Sequence, residues 1–159
     1  MFAIFVNTGR IHLASTEKQT SEKASGADSM ELFWGQFEDA WLLGDRLLST
    51  SFKDAVVDEL MDQLRCTDQR PQAMYKAIYK DSVGPSGMRK LLVDITTNTW
   101  KQSSLKKQAP DSQYAEFFYD VAVASMDRST NFATSVAPYP CGSWGCGCHY
   151  HDHLSDAGC

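Results

Sequence analysis

A chain of 159 residues, 43% of them hydrophobic, is long enough to form one compact domain with its own core. Its formal net charge of −5 argues against general nucleic-acid binding, which needs Lys and Arg clustered against phosphate. Five cysteines, four of them among the last nineteen residues, make no disulfide framework for a chain this size, and no apolar run approaches the roughly 20 residues of a membrane span.

The opening Met1-Phe2-Ala3-Ile4-Phe5-Val6 is apolar but lacks the basic lead and long apolar stretch of a signal peptide. An intracellular location, cytoplasmic or nuclear, is expected. Within Phe2 to Leu13, Thr8-Gly9 is turn chemistry, and Ile11 alternating with Leu13 predicts at most one short strand. Residues 14–29 are polar, without aromatics or a hydrophobic period, and read as a flexible surface loop.

Gly35 to Arg65 is the organising stretch. Phe37, Ala40, Trp41, Gly44, Leu47 and Leu48 recur at three- and four-residue steps and so share one helical face. Gly44 lies inside that face, where a missing side chain lets a second backbone come close. Ser49-Thr50-Ser51 interrupts the period, because short hydroxyl side chains compete for backbone donors, and Ser51 with Asp54 forms a variant capping box. Phe52, Ala55, Val56, Leu60 and Leu64 then make a second stripe, widened by Val57 and Met61. Two apolar faces joined by so few residues must pack together as a helical hairpin.

Thr67 to Arg70 is a polar break, and Pro71 is placed to begin a helix carrying Met74, Ala77 and Ile78 as far as Lys80. Asp81 to Gly87 is a loop. Met88, Leu91, Leu92 and Ile95 predict a helix over Met88–Trp100, weakened near its end by Thr96, Thr97 and Thr99. Lys101 to Asp111 is a basic linker. Tyr114 to Met126 reads as the last helix, with Phe117, Phe118, Val121, Ala122 and Ser125 on one side and Asp120 and Asp127 facing out. From Asp127 the chain turns rich in Pro and Gly and is expected to leave the packed body, which divides it into 1–126 and a flexible tail, 127–159.

Charge is unevenly spread along this framework. Glu31 to Leu64 holds eight acids against two bases, a balance of −6, whereas Lys76 to Lys107 holds seven bases against two acids, a balance of +5. Solvated faces of opposite sign explain this, and surfaces that steer protein partners are the sharper reading. The acids of the second hairpin helix, Asp54, Asp58, Glu59 and Asp62, do not suit a DNA-reading helix-turn-helix.

Reactive motifs are wanting. Gly84-Pro85-Ser86-Gly87 lacks the lysine and spacing of a phosphate loop, and Gly142-Ser143-Trp144-Gly145 lacks the strand and helix that flank a nucleophile elbow. Cys66 has no histidine near it in sequence and reads as structural; Asp58 and Glu59 point to different helix faces and read as solvated. No catalytic residue and no cofactor is expected. The chemically pointed place is the tail, where Cys148, His151, His153 and Cys159 match a tetrahedral zinc in kind and number. In an extended segment His149, His151 and His153 would share one face. Yet Cys-x2-His-x-His-x5-Cys is not a common structural-zinc spacing, so incidental thiols in a tail are the leading reading. A small zinc module is the rival.

Several stretches together resemble the small BTB/POZ-domain proteins of filamentous fungi. Phe2 to Ile11 is similar to the segment where the third helix of that domain ends and its YTG-containing strand begins, with Asn7 where the family has Tyr. Ala40-Trp41-Leu42-Leu43-Gly44-Asp45-Arg46-Leu47 resembles the family's AWVLGDKL, and Phe52 to Asp58 its FKNAAMD. Leu91-Leu92-Val93-Asp94 resembles its LRRLLVD helix, and Cys148-His149-Tyr150-His151-Asp152-His153 through Cys159 its terminal Cys/His tail. The resemblance implies a mainly α member of an α+β family: a helical hairpin plus further helices, a truncated BTB/POZ fold. It also implies a non-enzymatic role in protein–protein interaction, through self-association or docking to adaptor, ubiquitin-ligase or transcription partners. The family's N-terminal half, with its main sheet, is expected to be absent, leaving the hairpin with apolar surface that is covered elsewhere in the family.

Overall fold

In a computed structural model the described residues are 9, 11, 26–66, 71, 73–100, 114–130 and 147–152, with backbone alone for 26–30, 128–130 and 147–148. Among the described residues there are five α-helices: α1 (Gly26–Arg46), α2 (Thr50–Cys66), α3 (Met74–Asp81), α4 (Gly87–Thr99) and α5 (Ala115–Thr130). A short 3-10 turn, Gly147–Tyr150, follows. There is no strand among the described residues, so the mainly α class holds. Ile11, expected in a strand, is buried without being in one.

The hairpin forms as its periodicity predicts. Phe37, Ala40 and Trp41 of α1 are buried with Phe52, Val56, Leu60 and Leu64 of α2, and Val57 and Met61 widen the second stripe. A Cβ on Gly44 would stand 2.9 Å from Lys53 Cγ and 3.0 Å from Phe52 Cδ1, so the glycine sets how closely α1 and α2 approach. The tip differs from expectation. Leu47 and Leu48, read as part of the apolar face, are 48% and 88% exposed. The cause is the way α1 ends: Leu48 turns to φ +52, Ser49 N–H donates to Gly44 O at 2.9 Å, and Leu48 N–H donates to Asp45 O at 3.1 Å. This is a Schellman stop with leucine in the left-handed position where glycine is usual. α2 starts at Thr50, so Ser51 lies inside the first turn and the Ser51–Asp54 capping box does not form; Asp54 bonds elsewhere.

Other boundaries move for local reasons. α1 opens at Gly26, inside the stretch read as loop, because Ala27, Met30 and Glu31 favour helix; residues 14–25 lie outside the described set. Pro71 is buried three residues ahead of α3 rather than at its first turn. α4 runs to Thr99 despite its threonines, whose hydroxyls fold back onto the helix: Thr97 Oγ1 donates to Asp94 O and Thr99 Oγ1 to Ile95 O.

α3, α4 and α5 close the second half of the core. Tyr75 stacks on Phe117 with centroids 4.1 Å apart, and Trp100, Tyr114 and Phe118 present their edges to it. Asp120, expected to face out, accepts from Tyr79 Oη at 2.8 Å, while Ala122, expected inside, is exposed. Burial first, and then the Asp120 carboxylate, push the Tyr79 hydroxyl well above the ordinary tyrosine range. Buried Arg89 clamps the α3–α4 connection, donating to Ser82 O at 2.7 Å and Ser82 Oγ at 3.2 Å. Its guanidinium also lies 4.3 Å from the Tyr79 ring centre and pairs with Glu116 of α5 at 2.7 Å.

Candidate functional site

The densest polar cluster brings the tail back onto the helices. The chain was expected to leave the packed body from Asp127, but α5 continues to Thr130, and Tyr150 is only 2% exposed, inside the core. Residues 147–152 bridge α2 and the start of α4.

Each contact has a local origin. Ser86, extended at φ −145, caps α4 by accepting from Arg89 N–H, which leaves the Gly87 N–H pointing out of the first turn. The Asp152 carboxylate takes that hydrogen through Oδ1 at 2.6 Å and pairs through Oδ2 with Lys53 Nζ at 2.8 Å. Lys53 also reaches Asp45 at 3.1 Å and lies 5.2 Å from the Trp41 ring centre. Asp152 N–H donates to Asp54 Oδ1 at 2.9 Å. Burial opposes the charge on Lys53, but the bonds and charges of Asp152 and Asp45 together outweigh it, and its pKa is raised. The ammonium therefore persists through the whole neutral range, and this contribution to stability is lost only as pH rises through that raised value.

Two flanking contacts complete the seat. Tyr150 Oη donates to Asp94 Oδ2 at 2.8 Å, and His151 Nε2 meets Asp58 Oδ1 at 2.9 Å, so Asp58 is engaged rather than merely solvated. No Cβ fits at Gly87: it would come within 2.3 Å of the Tyr150 carbonyl carbon. The backbone of the tail therefore rests directly on the first residue of α4.

The histidines do not line up. Residues 147–150 form a 3-10 turn, so His149 faces Lys90 of α4 at 3.3 Å while His151 faces α2. The shared face expected of an extended segment is not there for this pair. Of the four zinc-type positions only His151 has a described side chain; Cys148 is described by its backbone, and His153 and Cys159 lie outside the described residues. Among the described residues no group of three His, Cys, Asp or Glu is placed to hold a metal. Cys66, read as structural, is exposed at the end of α2. None of the described helices is long and apolar enough to cross a membrane.

Burial first, and then the Lys90 cation, lower the pKa of His149, with Asp94 opposing in part. The folded chain thus binds fewer protons at His149 than the unfolded chain below the ordinary value of 6.5. Its contribution to stability is complete above that value and is lost as pH falls through the lowered one. An imidazole titration followed by NMR will place the His149 midpoint below 6.5, and Lys90→Ala will raise it; a midpoint at or above the ordinary value contradicts this geometry.

Sequence reasoning missed Lys53, Asp54, Gly87, Asp94, Tyr150 and Asp152 as one constellation. The Ser86-Gly87 helix start was the local signal available. No family model, no curated protein and no solved structure matches the chain.

Proposed function

We propose that the chain is a non-enzymatic protein-docking module of BTB/POZ type that acts inside the cell, with a second copy of itself as its first partner. Adaptor, ubiquitin-ligase or transcription partners would follow from the same resemblance. The observation that supports docking is Leu48. A leucine in the left-handed region costs about 1 kcal/mol or more relative to glycine, yet this one is held at φ +52 and is 88% exposed. The Schellman bonds hold that backbone, and the apolar side chain it projects into solvent is what supports a docking role. Leu47 stands beside it, and Leu43, one turn back along α1, is 39% exposed.

Light scattering across the micromolar range tests this. The wild-type chain will associate with rising concentration. Leu43→Glu with Leu47→Glu, at exposed sites where stability changes stay within about 0.5 kcal/mol, will hold it monomeric. Leu48→Gly will raise unfolding free energy by about 1 kcal/mol and weaken association. A folded wild-type chain that stays monomeric throughout the range argues against the reading.

A further inference from the structure

We propose that the seat between α2 and the start of α4 is a peptide-binding site for Tyr-x-Asp segments, filled in this chain by its own Tyr150-His151-Asp152, and that its external partner is a protein segment of the same pattern. This does not rest on the exposed leucines.

Three observations carry it. Each wall is anchored by other helices: α2 packs on α1, and α4 packs on α3 and α5. The occupant is read by side chains at both ends, Tyr150 Oη by Asp94 and the Asp152 carboxylate by Lys53 and the Gly87 N–H. The missing side chain of Gly87 admits the backbone between them and excludes any arrangement that leaves less room. Lys53 is only 12% exposed in its side chain, and the Asp152 side chain 15%, so the carboxylate is recognised in a largely desolvated place.

The spacing explains the selectivity. A hydroxyl-bearing ring is needed to reach Asp94 from inside the core, because phenylalanine gives up the hydrogen bond that Tyr150 Oη donates to Asp94 Oδ2. A carboxylate two residues later is needed to satisfy both a lysine and a helix N-terminal amide. The occupant is joined to α5 through residues 131–146, which makes it a tethered ligand. The resident segment belongs to the same chain, so an external segment must outcompete it, and the full chain is a guarded receptor.

The test keeps the full chain and empties the seat. In Tyr150→Ala/Asp152→Ala the groups of the seat are untouched while the resident segment has lost both recognised side chains. A fluorescein-labelled peptide of residues 147–152, capped at both ends and with serine in place of Cys148, will bind this variant at least about tenfold more tightly than it binds wild type. Tyr→Phe in the peptide will weaken binding by about tenfold or more, and Gly87→Ala added to the chain will abolish it. Leu43→Glu/Leu47→Glu will leave binding unchanged, which separates this site from the association surface. No binding to the folded variant, or equal binding to variant and wild type, overturns the proposal. If circular dichroism shows the double variant unfolded, Asp152→Ala alone decides: excess peptide will slow exchange of the Gly87 amide, and unchanged exchange overturns it.

Discussion

Gly87→Ala will destabilise the protein by about 1–3 kcal/mol, although the same substitution in a helix ordinarily stabilises by up to about 1 kcal/mol. The added carbon would stand 3.1 Å from Tyr150 Cα and far inside contact distance of the Tyr150 carbonyl carbon and oxygen. These are backbone atoms and cannot rotate away as the end of a side chain can. Residues 147–152 must therefore lift off α4, which exposes Tyr150 and removes the carboxylate from the Gly87 N–H. Losing a buried aromatic and a helix cap costs several kcal/mol, and the chain entropy recovered on release offsets part of it. Gly35→Ala is the matched control. Nothing lies within 4 Å of a Cβ there, in the middle of α1, so it will stabilise by about 0.5–1 kcal/mol. Urea unfolding measures both signs. Chymotrypsin supplies the structural readout: cleavage after Tyr150 will be slow in wild type and fast in Gly87→Ala. Equal stability and equal cleavage would mean that the tail does not rest on α4.

The opposite signs expected at Gly35 and Gly87 show where sequence reasoning reaches. The hairpin was legible because the spacing of Phe37, Ala40 and Trp41, and of Phe52, Val56 and Leu60, is a local property that burial then satisfies. Gly44 was legible for the same reason, lying on the face it had to share. The end of α1 was not, since a left-handed leucine carries no composition signal and the Schellman bonds form around it regardless. Asp120 was read as solvated because its partner, Tyr79, lies 41 residues away. The seat was illegible in the same way: its bonds join residues 56, 65 and 98 positions apart. A tail rich in Gly, Pro and Cys has no period of its own, so only the geometry of α2 and α4 shows where it belongs.

Arg89→Met is the other change with a large expected effect, a loss of about 2–4 kcal/mol. The visible ion pair with Glu116 is not the reason. That carboxylate is 61% exposed in its side chain and can return to water, so Glu116→Gln will cost at most about 1 kcal/mol. The greater loss lies inside the α3–α4 corner. Ser82 is 6% exposed, and its carbonyl and hydroxyl oxygens both accept from Arg89, while its own hydroxyl donates to Ile78 O at 2.6 Å. Methionine keeps the apolar stem but ends short of the guanidinium, so it leaves the Ser82 carbonyl buried without that donor, and such groups cost about 1–3 kcal/mol each. It also removes the cation from the Tyr79 ring, whose centre lies 4.3 Å away. Arg89→Lys will recover only part of the loss, because one compact ammonium cannot serve Ser82 and Glu116 together. Urea midpoints at unchanged slope provide the measurement. A loss at Arg89→Met no larger than that at Glu116→Gln would show that the buried α3–α4 corner contributes nothing beyond the surface pair between α4 and α5.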